Sequence, residues 1–111
     1  MDYYEPEMTV RAKLDIAEIY RYFYIDKKSS QTAARMVDAF EDAIFNDLPF
    51  MAPGCRLVRN AALAARGLRR MNVKAYAVFF TVNENEKIVN IERIIHGSRD
   101  LDSILSGDVG A

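Results

Sequence analysis

Thiols and imidazoles are nearly absent: the 111 residues include one cysteine and one histidine. The lone thiol, Cys55, excludes an internal disulfide and fits a reducing compartment. Cys55 and His96 lie far apart and make a poor ligand set, so no metal is expected. No glycine-rich loop of the kind that cradles phosphate is present, so no cofactor is expected either. No apolar run approaches the ~18 residues of a membrane span. The opening stretch MDYYEPEM is acidic and has no apolar signal region. Together these absences point to a cytoplasmic protein without a membrane partner. Internal repeats and low-complexity segments are also missing, and the length fits one domain, residues 1–111.

The other absence is of negative charge. From Leu48 to Asn83 there is no carboxylate, while Arg56, Arg59, Arg66, Arg69, Arg70 and Lys74 give the stretch +6. Residues 1–47 carry −4 and residues 84–111 carry −3, so the overall −1 hides a division along the chain. Two readings of the basic stretch stand side by side. It is a patch for an anionic partner, such as RNA, DNA or an acidic protein segment, or its cations pair with the acidic helices once the chain folds.

What is present builds a core. Thr9 is an N-cap candidate, and Ala12, Ile16, Ile19, Tyr20 and Phe23 follow at helical spacing. Ser29-Ser30 breaks that helix and caps a second over about 31–48, with Ala33, Val37, Phe40, Ile44 and Leu48 on one face. Pro49 is expected to stop it. The two helices form a hairpin with one face left for a sheet. Strands are expected at Tyr3–Met8, Gly67–Met71, Ala75–Val82 and Lys87–Ile95, the last two joined by the polar turn Asn83-Glu84-Asn85-Glu86. On the last strand, alternation puts Val89, Ile91, Arg93 and Ile95 on one side. Ile88, Asn90, Glu92, Ile94 and His96 fall on a more polar, open side. Phe50–Arg66 reads as a connector with a turn at Pro53-Gly54 and one helical turn at Ala61–Ala65. Asp100–Leu105 reads as a terminal helical turn, followed by a frayed tail. The expected fold is α+β: a two-helix hairpin packed on a mostly antiparallel sheet, in the order β-α-α-β-β-β.

Metal-free RNA cleavage needs a base, a cation for the phosphorane charge and an acid. His96 is the candidate acid or base, and Arg69 and Arg99 the candidate phosphate holders. The bland alternative has His96 capping a strand end and Arg99 pairing with Asp100 or Asp102. Arg69 and Arg70, adjacent on a strand, should point to opposite faces. Arg56, Arg59, Arg66, Arg70 and Lys74 are the candidate target- or nucleic-acid-binding residues.

Several segments occur in a familiar order: Asp15-Ile16-Ala17-Glu18-Ile19, an alanine-containing second helix, Leu48-Pro49 followed by Pro53-Gly54, then Gly67-Leu68-Arg69, Tyr76-Ala77-Val78-Phe79-Phe80 and Ile94-Ile95-His96-Gly97-Ser98-Arg99-Asp100. Over about residues 3–105 the chain resembles the RelE/ParE superfamily of bacterial type II toxins. The resemblance implies a growth-inhibiting toxin, with a role in plasmid stabilisation, neutralised by a cognate antitoxin. A homodimer or a heterotetramer with the antitoxin is a possible assembly. RelE-like members cut mRNA on the ribosome, without metal, through basic and tyrosine or histidine side chains of the sheet. ParE-like members inhibit DNA gyrase. The Gly67-Leu68-Arg69 and Ile95-His96-Gly97-Ser98-Arg99 segments resemble the ParE kind more closely. Three departures separate the chain from the RelE kind: Ala77 stands where an arginine often follows the strand tyrosine, no tyrosine lies near Leu105, and the chain is not basic overall. A third implication is a degenerate member that only binds its antitoxin.

Overall fold

The computed structural model describes residues 2–109. After β1 (Glu5–Met8), Thr9 starts α1 (Val10–Arg21) by accepting the Ala12 N–H on its hydroxyl at 3.0 Å. The helix widens into a π-type turn at Tyr22–Asp26 and stops at Lys28, whose φ of +51° is the left-handed conformation that ends many helices. Ser29 caps α2 (Ser30–Glu41) by accepting the Thr32 N–H at 3.2 Å. Pro49 does not end the helical path there. A second widened turn (Asp42–Asp47) lets the chain restart as α3 (Leu48–Met51), where Pro49 sits in the first turn and its missing N–H is not needed. The one-turn α4 (Ala61–Ala65) follows, then β2 (Arg69–Val73), β3 (Tyr76–Asn83), β4 (Ile88–His96) and α5 (Leu101–Val109).

The sheet order is β1-β4-β3-β2, with β1 parallel to β4 and the other pairs antiparallel. The helical hairpin covers one face. Phe40, Ile44 and Leu48 are fully buried there against Val78, Phe80, Val89 and Ile91, as their spacing predicts. Tyr20 departs from the expected stripe: it stands in solvent, stacked on Tyr24 at 5.6 Å, and Asp15 occupies a buried position instead.

The second face is not open. Leu63 of α4, Leu68, Ala77, Phe79, Ile95 and Leu105 of α5 form a second apolar cluster on it, flanked by Val58, Leu101 and Ile104. The connector also contributes: Leu57 bridges Arg69 at the β2 edge, and the Arg70 N–H donates to the Arg56 carbonyl at 3.0 Å.

A β-bulge corrects the expected alternation of β4. Phe80 pairs with Ile91 but Phe79 pairs with Arg93, so Glu92 is an extra residue. Beyond it the faces exchange. Ile94 joins the helix-side cluster and Ile95 the opposite one. His96, opposite Tyr76, therefore lies on the helix side and not on the polar, open side expected of it.

Candidate functional site

The basic stretch divides on folding. Arg69 and Arg70 take opposite faces of β2, as expected of neighbours on a strand: Arg69 pairs with Phe80 and Arg70 with Phe79. Arg69 donates from Nη1 to the Cys55 carbonyl at 2.6 Å, tying the connector to the strand. Arg70 lies over the Phe79 ring at 5.7 Å and donates from Nε to Asn72. Arg66 makes a two-pronged ion pair with Glu92, at 2.9 and 3.1 Å. Arg56, Arg59 and Lys74 are exposed and make no side-chain ion pair among the described residues. The stretch therefore divides: Arg66 pairs internally, with a strand carboxylate and not with the acidic helices, whereas Arg56 and Arg59 face solvent beside Arg70 around a groove of about 700 Å³. Burial pushes the Cys55 thiol above its usual pKa, against a smaller lowering by nearby Arg69, so the thiol is not activated.

Two adjoining cavities of about 400 and 490 Å³ share Tyr22, Tyr76, His96 and Arg99 at the end of the sheet under the α1 turn. Lys74 and Ser98 line the second. His96 packs edge-on against Tyr76 at 5.1 Å. Its Nδ1 accepts the Ser98 backbone N–H at 3.1 Å, with the Ser98 hydroxyl at 2.7 Å. An amide N–H can only donate, so Nδ1 is the unprotonated nitrogen and Nε2 carries the proton of the neutral ring. In this arrangement His96 offers a donor, not a base. Burial, with Tyr22 nearby, pushes the Tyr76 hydroxyl above the usual tyrosine pKa, so it too is a donor at neutral pH. Arg99 is exposed and pairs with neither Asp100 nor Asp102. Asp100 instead accepts from the Ser103 N–H and hydroxyl at the start of α5.

The three candidate catalytic residues do not converge. Arg69 sits opposite Phe80 and His96 opposite Tyr76, on strands flanking β3. That separates them by about 13 Å along the strands and about 10 Å across them. His96 and Arg99 do share one cavity wall. Sequence reading missed Tyr22 and Tyr76 as members of that wall. It also missed the ion pair beneath it, where the Asp15 carboxylate accepts from Arg93 Nε at 2.8 Å and from the Ile94 N–H at 2.9 Å. Helical spacing counts Asp15 as mostly off the apolar stripe, yet the structure buries it with Ala12 and Ile19, where a carboxylate needs a buried partner. Among the described residues no group of three or more His, Cys, Asp or Glu side chains is arranged to hold a metal ion, and no helix is long and apolar enough to cross a membrane.

A family model for the ParE toxin of type II toxin–antitoxin system, parDE, matches residues 7–101. Among solved structures the chain is similar to one from the chromosomal ParDE TA system of P. aeruginosa, at 18% identity over 85% of this chain and 96% of that one, with a TM-score of 0.69. It is also similar to one from the toxin–antitoxin complex RelBE2 of Mycobacterium tuberculosis, at 19% identity over 85% and 98%, with a TM-score of 0.60. No curated protein matches it.

Proposed function

The chain belongs to the ParE toxin family of type II toxin–antitoxin systems, and from that premise we propose that it inhibits DNA gyrase by binding, in the cytoplasm, and is neutralised by a cognate antitoxin. The observation that carries the binding mechanism is the scatter of the candidate catalytic side chains. Arg69 is engaged by the Cys55 carbonyl. His96 lies several residues further along the sheet with its acceptor nitrogen already occupied by Ser98. A metal-free nuclease needs base, cation and acid around one phosphate, and this arrangement favours a binder.

The antitoxin has a surface of suitable chemistry on the helical layer. Val10 and Leu14, one turn apart on α1, are 74% and 48% exposed. Apolar side chains at that spacing suit a partner helix or strand laid along α1. The RelE-like alternative, cleavage of mRNA on the ribosome, draws its support from the groove beside Arg56, Arg59 and Arg70 on the second sheet face.

Induction in cells separates the two. Gyrase inhibition makes DNA supercoiling fail before translation, and the purified chain then inhibits gyrase in a reconstituted supercoiling assay. His96→Ala should retain growth arrest. Translation failing first, with mRNA cleaved by the parent and not by His96→Ala, would overturn the binding mechanism. Co-expression of the adjacent gene product should restore growth and yield a stable complex.

A further inference from the structure

The cavity beside Lys74 and Arg99 has a lining that the proposed function does not use. Its wall is formed by Tyr22, Lys74, Tyr76, His96, Ser98 and Arg99, with Phe23 and Met36 behind, and contains no carboxylate. Three nitrogen groups there are donors: the Lys74 ammonium, the Arg99 guanidinium and the His96 Nε2–H left over once Nδ1 has accepted from Ser98. Neither cation has an ion-pair partner among the described residues. Of the two carboxylates in the adjoining cavity, Asp15 is bound by Arg93, leaving Glu18.

The placement of the two cations is built into the backbone. Lys74 takes a left-handed φ of +54° in the β2–β3 turn, as Lys28 and Lys87 do in theirs. The Gly97 N–H donates to the Ala75 carbonyl at 2.9 Å, lashing that turn to the segment carrying Arg99. A Cβ at residue 97 would lie 3.3 Å from the Ala75 oxygen, tighter than ordinary contact, so glycine permits the close approach.

We infer that this cavity binds a nucleoside phosphate. Two cations and an imidazole donor match the charge of about −1.5 to −2 on a phosphate monoester better than the single charge of a carboxylate. The aromatic wall suits a flat ring: Tyr22 is 42% exposed, meets Phe23 edge-on at 5.1 Å and has Lys27 over its ring at 5.6 Å. At about 490 Å³ the cavity falls in the size range of small-molecule sites. The ligand is either a free nucleotide or the phosphorylated end of a nucleic-acid strand, which share this chemistry. The inference does not depend on gyrase being the target.

Calorimetric titration of the full chain with AMP, UMP, adenosine, inorganic phosphate and a 5′-phosphorylated tetranucleotide tests it. AMP and UMP should saturate with Kd below about 1 mM, and adenosine and inorganic phosphate should bind at least about tenfold more weakly. Arg99→Gln and Lys74→Gln should each weaken AMP by about tenfold, the loss of one charge-assisted contact. Tyr22→Leu should weaken AMP without changing inorganic phosphate. These side chains are exposed, so thermal unfolding should be unaltered. In NMR the Ala75, Gly97 and Ser98 amides should shift on adding AMP. Tighter binding of the tetranucleotide than of AMP assigns the site to a strand end, and the reverse assigns it to a free nucleotide. Failure of every phosphorylated probe to saturate, inorganic phosphate binding as tightly as AMP, or unchanged AMP affinity in both charge variants would overturn the inference.

Discussion

Asp15→Ala should destabilise the protein by about 3–5 kcal/mol, the usual cost of removing one partner of a buried ion pair. The carboxylate is 4% exposed and the Arg93 side chain 7%. Asp15 accepts from Arg93 Nε at 2.8 Å and Nη2 at 3.2 Å, and from the Ile94 backbone N–H at 2.9 Å. The last bond closes the edge of β4 beyond the end of β1, where no strand supplies an acceptor. Alanine therefore removes a carboxylate partner of a buried guanidinium and leaves a strand N–H without its acceptor, itself a loss of about 1–3 kcal/mol in an apolar setting. Against a typical total of about 5–15 kcal/mol, the variant should be close to the limit of folding. The midpoint of thermal unfolding should fall by about 12–20 °C, at about 4 °C per kcal/mol for a domain of this size. Urea unfolding with a shared slope measures the loss directly. The double variant Asp15→Leu, Arg93→Met should recover much of it, because an apolar pair of similar volume avoids the desolvation of both charges. A single variant within about 1 kcal/mol of the parent, or a double variant no better than the single, would refute the assignment of this pair as the bolt between α1 and β4.

Phe40→Ala should cost about 3–5 kcal/mol in urea unfolding, because Phe40 is fully buried and meets Tyr76 edge-on at 5.6 Å. Lys28→Gly should stabilise by about 0.5–1 kcal/mol, since Lys28 holds a left-handed φ of +51° at the end of the first helix; a loss in the same assay would contradict that. The raised pKa of Tyr76 sets a pH dependence with a defined sign. Folding favours the protonated phenol, so its contribution is complete below the unfolded-state pKa of about 10 and is lost as pH rises through the higher folded-state value. Thermal unfolding followed above that pH should show the parent losing stability faster than Tyr76→Phe, and parallel curves would exclude Tyr76 as the cause.

Most of the fold was legible because its signals are local. Thr9 and Ser29 cap the helices they precede, and Phe40, Ile44 and Leu48 repeat at the spacing of a buried stripe. The run Tyr76–Asn83 is apolar on both sides, as an inner strand under two layers requires. The candidate site was less legible because its geometry depends on non-local events. Nothing in the residues of β4 announces that Glu92 is an extra residue, and that event decides where His96 points. The engagement of Arg69 with the Cys55 carbonyl depends on how the connector folds back over β2, which backbone contacts and not side-chain patterns determine. The covering of the second sheet face by α4 and α5 was missed because each helix is short, and its apolar residues are too few to show a period.

The bulge also bears on how this chain should be compared with others. On either side of Glu92, β4 follows two different parities, odd-numbered residues toward the helices before it and even-numbered residues after. A relative that lacks the extra residue, aligned without a gap there, would have every later position matched to the wrong side of the sheet. Its counterpart of Ile95 would be read as Ile94, and a histidine under its helices as one facing the other way. Deleting Glu92 should by the same logic leave the later contacts of the strand in place. With Ile91 and Arg93 consecutive, their pairings with Phe80 and Phe79 become regular, and Ile94, Ile95 and His96 keep their faces; what is lost is the carboxylate that Arg66 grips.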